Sequence, residues 1–186
     1  PGGGVKLGFR AHYPQLETKL MAQGADIDDI RRKVEPVERE VRERLGNFIL
    51  AEDDRTLEGV ILDALANRNA TLATVETFTG GQIAARIAHL PGAEKILRRG
   101  VITRDMGEVA AAVGLDAAAV PVITREAAEA VARAALATAR ATHALAVLID
   151  LDGGADRIEF AGTICLAIAS ATEVASRRSR IVGGRD

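Results

Sequence analysis

The sequence predicts an α/β protein, a three-layer α/β/α sandwich with a mixed sheet that is preceded by a small ββα module. Short apolar runs rich in β-branched residues alternate with amphipathic patterns between residues 54 and 175. The helical patterns are rich in alanine, which suits close packing of helices on a sheet. The composition agrees, because 48% hydrophobic and 27% charged residues in a chain of 186 are the balance of a globular protein with a core.

Residues 1–50 form the predicted ββα module. Apolar and polar side chains alternate in two stretches, which predicts two half-buried strands joined near Tyr13 and Pro14. Asp26 is expected to cap the following helix, Pro36 to kink or split it, and Gly46 to end it. The apolar positions behind these predictions are Val5, Leu7 and Phe9, then Leu16, Thr18, Leu20 and Ala22, then Ile27, Ile30, Val34, Val37 and Val41.

Residues 54–175 form the predicted α/β domain, and the acidic residues 51–54 are the expected linker. An apolar stripe from Leu57 to Leu65 predicts the first helix, and the apolar run from Thr71 to Glu76 predicts a strand buried on both faces. The expected elements that follow are a helix from Thr79 to about His89, a strand at Gly100–Thr103, an alanine-rich stretch at 110–119, a helix from its cap Thr124 to about Arg140, and strands at Ala144–Ile149 and Phe160–Ala169 around an acidic turn at 150–156. Residues 176–186 are expected to be a frayed basic tail.

Composition excludes several classes of function. The formal net charge is −2 and five residues are aromatic, so neither a basic field nor a stacking platform for nucleic acid is expected. One cysteine, Cys165, and three scattered histidines predict no metal site, and no organic cofactor is implied. No apolar run reaches the roughly 18 residues of a membrane span, so a cytoplasmic protein without a membrane partner is expected. The chain starts at Pro1 rather than at methionine, so a longer parent protein is expected.

A strand-to-helix corner between Thr71 and Gln82 carries the candidate chemistry. The strand ends at Glu76, Thr77 places a hydroxyl at the turn, and the helix opens at Thr79, Gly80 and Gly81. Glycines let a ligand approach the backbone, and the first N–H groups of a helix attract a phosphate or an oxyanion. The structural alternative is a capping box, because Thr79 and Gln82 have the T-x-x-Q spacing that satisfies a helix terminus without a ligand.

This corner resembles the motif T-L-A-x-A-E-S-C-T-G-G of the CinA family, the competence/damage-inducible proteins, whose C-terminal domain is a nicotinamide mononucleotide (NMN) amidohydrolase. The similarity spans about residues 5–170, including Gly100–Thr103 against the family's G-V-V-T and Gly162–Ala167 against its G-T-V-x-x-A. Residues 7–14 and 37–50 are similar to the family's KH-like linker domain. No G-x-x-G loop, with which KH folds bind RNA, occurs between residues 25 and 50, so a spacer or dimerisation element is expected.

The sequence departs from the family at the residues that carry its chemistry. Thr77 stands where the family has its nucleophilic serine, and Arg104 and Val109 stand where it has a tyrosine and a lysine. Valine cannot transfer a proton, and arginine stays protonated at neutral pH. The family's T-G-I-A-G-P-D-G-G loop is shortened here and contains Asp150, whose charge would repel a phosphate. Because a nucleophile and its base act as a unit, we expect the amidase activity to be lost or strongly impaired.

Two functional hypotheses follow from the resemblance. If the domain is active, it hydrolyses the amide of NMN, with Thr77 as nucleophile, Glu76 as the other catalytic candidate, and ligand contacts from Thr79, Gly80, Gly81 and Arg104. The alternative is a non-catalytic nucleotide-binding, oligomerisation or regulatory domain of a larger CinA-type protein. The resemblance implies a pyridine nucleotide as the small-molecule partner and a homo-oligomer in either case.

Overall fold

The structure is a computed structural model that describes residues 4–12, 15–52, 55–153 and 160–182. The chain divides into two compact units, Pro1–Asp54 and Arg55–Asp186. Several predicted features lie outside the described residues: the junction at Tyr13 and Pro14, the linker residues 53–54, the turn residues 154–156 and Arg185. Within the described part, no helix is both long and apolar enough to cross a membrane.

The first unit is an antiparallel hairpin followed by a helix. Strand β1, Val5–His12, pairs with β2, Gln15–Ala22, and α1 covers Ile27–Leu45 before a short 3₁₀ turn at Gly46–Phe48. The side chain of Asp26 accepts from the N–H of Asp29, and Gly46 ends α1 with a φ of 49°, as predicted. The expected split at Pro36 is wrong, because α1 runs through it without interruption. Loss of one N–H donor leaves the hydrogen bonds of the adjacent turns in place.

The second unit contains a five-stranded mixed sheet. Its strands are β3, Leu72–Glu76; β4, Leu97–Ile102; β5, His143–Gly153; β6, Phe160–Ser170; and β7, Val174–Val182. They lie in the order β4-β3-β5-β6-β7, with β3 parallel to both neighbours and the other pairs antiparallel. The strands β3, β5 and β6 are therefore central, and β3 is buried along its whole length, as its composition predicts.

Helices cover both faces of this sheet. The helices are α2, Leu57–Ala66; α3, Gln82–Ala88; α4, Ala93–Ile96; α5, Met106–Val113; and α6, Arg125–Ala139. On one face of the sheet, Leu72 packs with α2, α3 and α4. On the other face, Ala73 and Val75 pack with α5 and α6. The predicted three-layer sandwich is confirmed, and the four buried alanines and one buried valine of α6 let that helix lie close to the strands.

Several element boundaries differ from the prediction. Strand β4 begins at Leu97 rather than at Gly100, and β5 continues to Gly153 through residues expected to form a turn. The expected frayed tail is wrong for residues 176–182, which belong to β7. Every residue from 174 to 182 pairs with β6, and the Ser176 hydroxyl donates to Glu129 of α6. These sheet contacts order an arginine-rich stretch that has no strand pattern of its own.

Candidate functional site

The candidate site lies where β3 and β4 end side by side. The helix after β3 packs on one face of the sheet and the helix after β4 packs on the other. In open α/β sheets, ligands usually bind outside the carboxyl ends of the strands. The turn at residues 77–81 and the turn at residues 103–105 follow these two strand ends, and the N–H of Thr103 donates to the carbonyl of Glu76 at 3.2 Å.

Glu76 anchors the first helical turn of α3 from the end of β3. Its side chain is fully buried, and its carboxylate accepts from the N–H groups of Ile83 at 3.0 Å and Ala84 at 2.9 Å. The hydroxyl of Thr79 donates to the same carboxylate at 2.5 Å. The carboxylate therefore occupies the place that an anion takes at a helix N-terminus, where the helix dipole favours negative charge.

These contacts decide between the two interpretations of Thr79 and Gln82. The hydroxyl of Thr79 is directed to Glu76, and α3 begins at Gln82 with Gly81 as a cap that lacks a side-chain bond. The expected capping box and the expected helix start at Thr79 are therefore wrong. The carboxylate of Glu76 replaces the hydroxyl as acceptor because it reaches two N–H groups of the first turn together.

Thr77 is held by the backbone of β5. Its side chain is 2% exposed, its hydroxyl accepts from the N–H of Ile149 at 2.8 Å, and it donates to the carbonyl of the same residue at 3.4 Å. The N–H of Thr77 also donates to the carbonyl of Val147. Among the residues that the structure describes, no titratable side chain bonds to this hydroxyl. A serine-type nucleophile needs a base and access to substrate, and this hydroxyl has neither in the described structure.

Gly80 and Gly81 form a left-handed turn that only glycine adopts without strain. Their φ angles are 64° and 85°, and a Cβ at Gly81 would collide with the side chain of Ile102. In the described part of the chain, the N–H groups of residues 78–81 donate no hydrogen bond within the protein. The turn therefore has backbone donors that are available to a ligand at this corner, although two N–H groups in the first turn of α3 are satisfied by Glu76.

A cation from one turn and an aromatic ring from the other lie in contact at this corner. The guanidinium carbon of Arg104 lies 4.7 Å from the centroid of the Phe78 ring, within the range of a cation–π contact. Phe78 is 41% exposed, and Arg104 is exposed as well. The sequence predicted Arg104 as a ligand contact but did not single out Phe78. An aromatic residue two positions after the end of a buried strand was the available signal.

The positions of the family's other groups give no base at this site. Val109 is fully buried in the core that α5 and α6 form against the sheet. Asp150 is exposed on β5, where it pairs with Thr163 of β6. Cys165 is buried in the same core as Val109, and burial raises the pKa of its thiol. The described residues contain no group of three or more metal-ligating side chains.

Comparisons with known proteins agree with the fold. The model of the CinA C-terminal domain matches residues 54–186. A CinA-like protein of Frankia casuarinae is 30% identical over 186 residues, which cover 98% of this chain and 43% of that protein. A putative competence-damage inducible protein of Clostridium novyi is 37% identical over 89 residues, which cover 48% of this chain and 22% of that protein. The chain thus spans less than half the length of the curated relatives it matches.

Solved structures show the same architecture. The competence damage-inducible protein A (ComA) of Klebsiella pneumoniae superposes with a TM-score of 0.56 at 24% identity, covering 66% of this chain and 79% of that one. A competence-damaged protein (CinA) superfamily protein of Escherichia coli superposes with a TM-score of 0.56 at 17% identity, covering 75% of this chain and 86% of that one. Because both sequence identities are below 25%, these superpositions show a shared fold and do not show a shared function.

Proposed function

This chain belongs to the CinA family through its C-terminal domain, and on that premise we propose that the domain binds a pyridine nucleotide such as NMN without hydrolysing its amide. One observation carries the proposal: the Thr77 hydroxyl, which would be the nucleophile, is buried and bonded to the backbone of Ile149. This contact supports a loss of the amidase chemistry that the family resemblance implies, whereas groups around Thr77 suit a nucleotide.

Proton transfer is the step that the site cannot support. An attacking hydroxyl must give its proton to a base as the tetrahedral intermediate forms. Glu76 is the nearest carboxylate along the chain, and its oxygens already accept from Thr79, Ile83 and Ala84. Leaving these donors unpaired would cost about 1–3 kcal/mol for each one, which disfavours a rearrangement that frees the carboxylate.

Binding is supported by the chemistry of the turns at residues 77–81 and 103–105. NMN carries a pyridinium ring and a phosphate, so the ring suits the face of Phe78, where the guanidinium of Arg104 now lies. Displaced from the ring, Arg104 is a bidentate donor for the phosphate, and the N–H groups of residues 78–81 are further donors. Neither contact requires a change at Thr77, so binding and hydrolysis are separable in this domain.

Calorimetry and an ammonia assay on the same samples test the proposal. We expect saturable binding of NMN by the full chain, no ammonia above the buffer rate, and a Kd about tenfold weaker in R104Q, which loses a charge-assisted contact. R98Q is the matched control, because Arg98 is an exposed arginine at the opposite end of β4, and its Kd should equal that of the wild type. Ribose 5-phosphate, which lacks the ring, should bind more weakly than NMN.

Two results would contradict the proposal in different ways. Ammonia release that disappears in T77V would show that Thr77 is a nucleophile. Failure of NMN to bind at millimolar concentration would show that the domain does not bind the proposed ligand.

A further inference from the structure

The first unit exposes an apolar face that its own helix leaves largely uncovered. Register places Val5, Leu7, Phe9, Ala11, Leu16, Thr18, Leu20 and Ala22 on one face of the hairpin. Phe9 is 66% exposed and Leu16 is 63% exposed. Among residues 4–11 and 15–52, whose burial the structure describes, Val5 alone is buried, and no residue of α1 is buried. A two-stranded hairpin is marginal in water without a third strand or a packed face, so this unit needs a further contact to form a core.

The outer edge of β2 has side chains that complement a second copy of themselves. In the described part of the chain, β2 pairs only with β1, so its other row of backbone groups is unpaired. On its polar face, Glu17 and Lys19 stand two residues apart, with their charged groups 3.2 Å from each other. When a strand has opposite charges on the two sides of a central residue, an antiparallel copy centred on that residue places each charge opposite the complementary one.

We propose that two copies of this chain associate through β2 in antiparallel register about Thr18, forming a four-stranded sheet with two-fold symmetry. Glu17 then faces the partner's Lys19, and Lys19 faces the partner's Glu17. Leu16 faces the partner's Leu20, so the apolar faces of the two hairpins lie on the same side and form one continuous surface. The interface is isologous, since each copy contributes the same strand.

Other arrangements of the same hairpin are less favourable. A register centred on Glu17 or on Lys19 places that residue opposite itself, which sets like charges against each other. The free edge of β1 carries Lys6 and Arg10 and no acidic residue, so no register of two β1 strands makes a pair of opposite charges. Charge therefore selects both the strand and the register.

Charge reversal tests the interface on the full chain. Sedimentation equilibrium should give twice the 19.6 kDa chain mass for the wild type. The single variants E17K and K19E should each dissociate about tenfold or more readily, because two symmetric pairs become like-charged. The double variant E17K/K19E should dimerise like the wild type, and an equimolar mixture of E17K and K19E should form heterodimers. K6E is the matched control, since it reverses an exposed charge on the same face of the hairpin at β1.

A disulfide tests the register itself. The two Thr18 residues face each other on the axis, at a Cα separation of about 4.5–5.5 Å that suits a disulfide, so T18C should cross-link under mild oxidation. Phe9 lies opposite Thr18 on β1, which places the two copies of it about 14 Å apart, three strand spacings, so F9C should not cross-link. Circular dichroism confirms that each variant is folded.

Any one of four results would overturn the proposal. The first is a monomeric wild type, and the second is a single variant that dimerises as tightly as the wild type. The others are a mixture of E17K and K19E that stays monomeric, and cross-linking of F9C as fast as that of T18C. A wild-type monomer whose β2 edge binds a different protein would overturn it too, because the proposed occupant is a second copy.

Discussion

Replacement of Thr77 by valine separates a structural hydroxyl from a catalytic one. Valine keeps the shape of threonine and removes only the oxygen that joins the end of β3 to Ile149 of β5. The N–H of Ile149, which donates to Thr77 at 2.8 Å, then loses its partner. A donor left unsatisfied in a largely buried place costs about 1–3 kcal/mol, so we expect T77V to lower the free energy of unfolding by that amount.

Thr74, which lies within β3, provides a control of the same kind. It is 1% exposed, and its hydroxyl has no hydrogen-bond partner among the described residues. Valine there removes an unsatisfied polar atom from the interior, so T74V should raise the free energy of unfolding by about 1 kcal/mol. The same chemical change at two buried positions three residues apart should therefore change the free energy of unfolding in opposite directions.

Urea denaturation followed by circular dichroism measures both changes. The two variants should differ by about 2–4 kcal/mol at unchanged m-values, and T77S, which keeps the hydroxyl, should lose only about 1 kcal/mol for the missing methyl group. Equal stability of T77V and wild type would refute the structural role of the Thr77 hydroxyl. So would a loss in T74V as large as that in T77V.

Three further predictions concern the same domain. E76Q should lower the free energy of unfolding by about 1.5–3 kcal/mol in urea, because an amide cannot accept from all the donors that the Glu76 carboxylate holds; wild-type stability would contradict this. G81A should destabilise the domain more than G80A, since both positions have positive φ but only a Cβ at Gly81 meets Ile102; thermal melts that rank them in reverse order would count against it. The Cys165 thiol should react with a thiol reagent at pH 8 far more slowly in the native chain than in urea, because burial raises its pKa and blocks access; equal rates would refute this.

Local patterns predicted much of the fold because they act over short stretches of chain. The buried strand β3, the caps at Asp26 and Thr124 and the alanine-rich helix α6 all follow from residues within one or two turns of each other. Strand β7 was missed because its arginines have no apolar period, and its order comes from pairing with β6. Propensity carries little information at such an edge strand.

The site was predictable in position but not in its contacts. The glycines and the end of a buried strand indicated the corner, whereas the bond between Thr77 and Ile149 joins residues 72 positions apart. The role of Glu76 also depends on where α3 begins, and helix starts are the least certain feature of a sequence pattern. Whether a hydroxyl is available for chemistry is therefore decided by packing that the sequence does not display.

Incubation of the full chain with NMN, at protein concentrations comparable to the substrate and with product followed by NMR, tests the central claim most directly. We expect the amide to be hydrolysed no faster than in buffer alone, in wild type and in T77V alike. Conversion to the acid and ammonia by the wild type, abolished in a folded T77V, would contradict it.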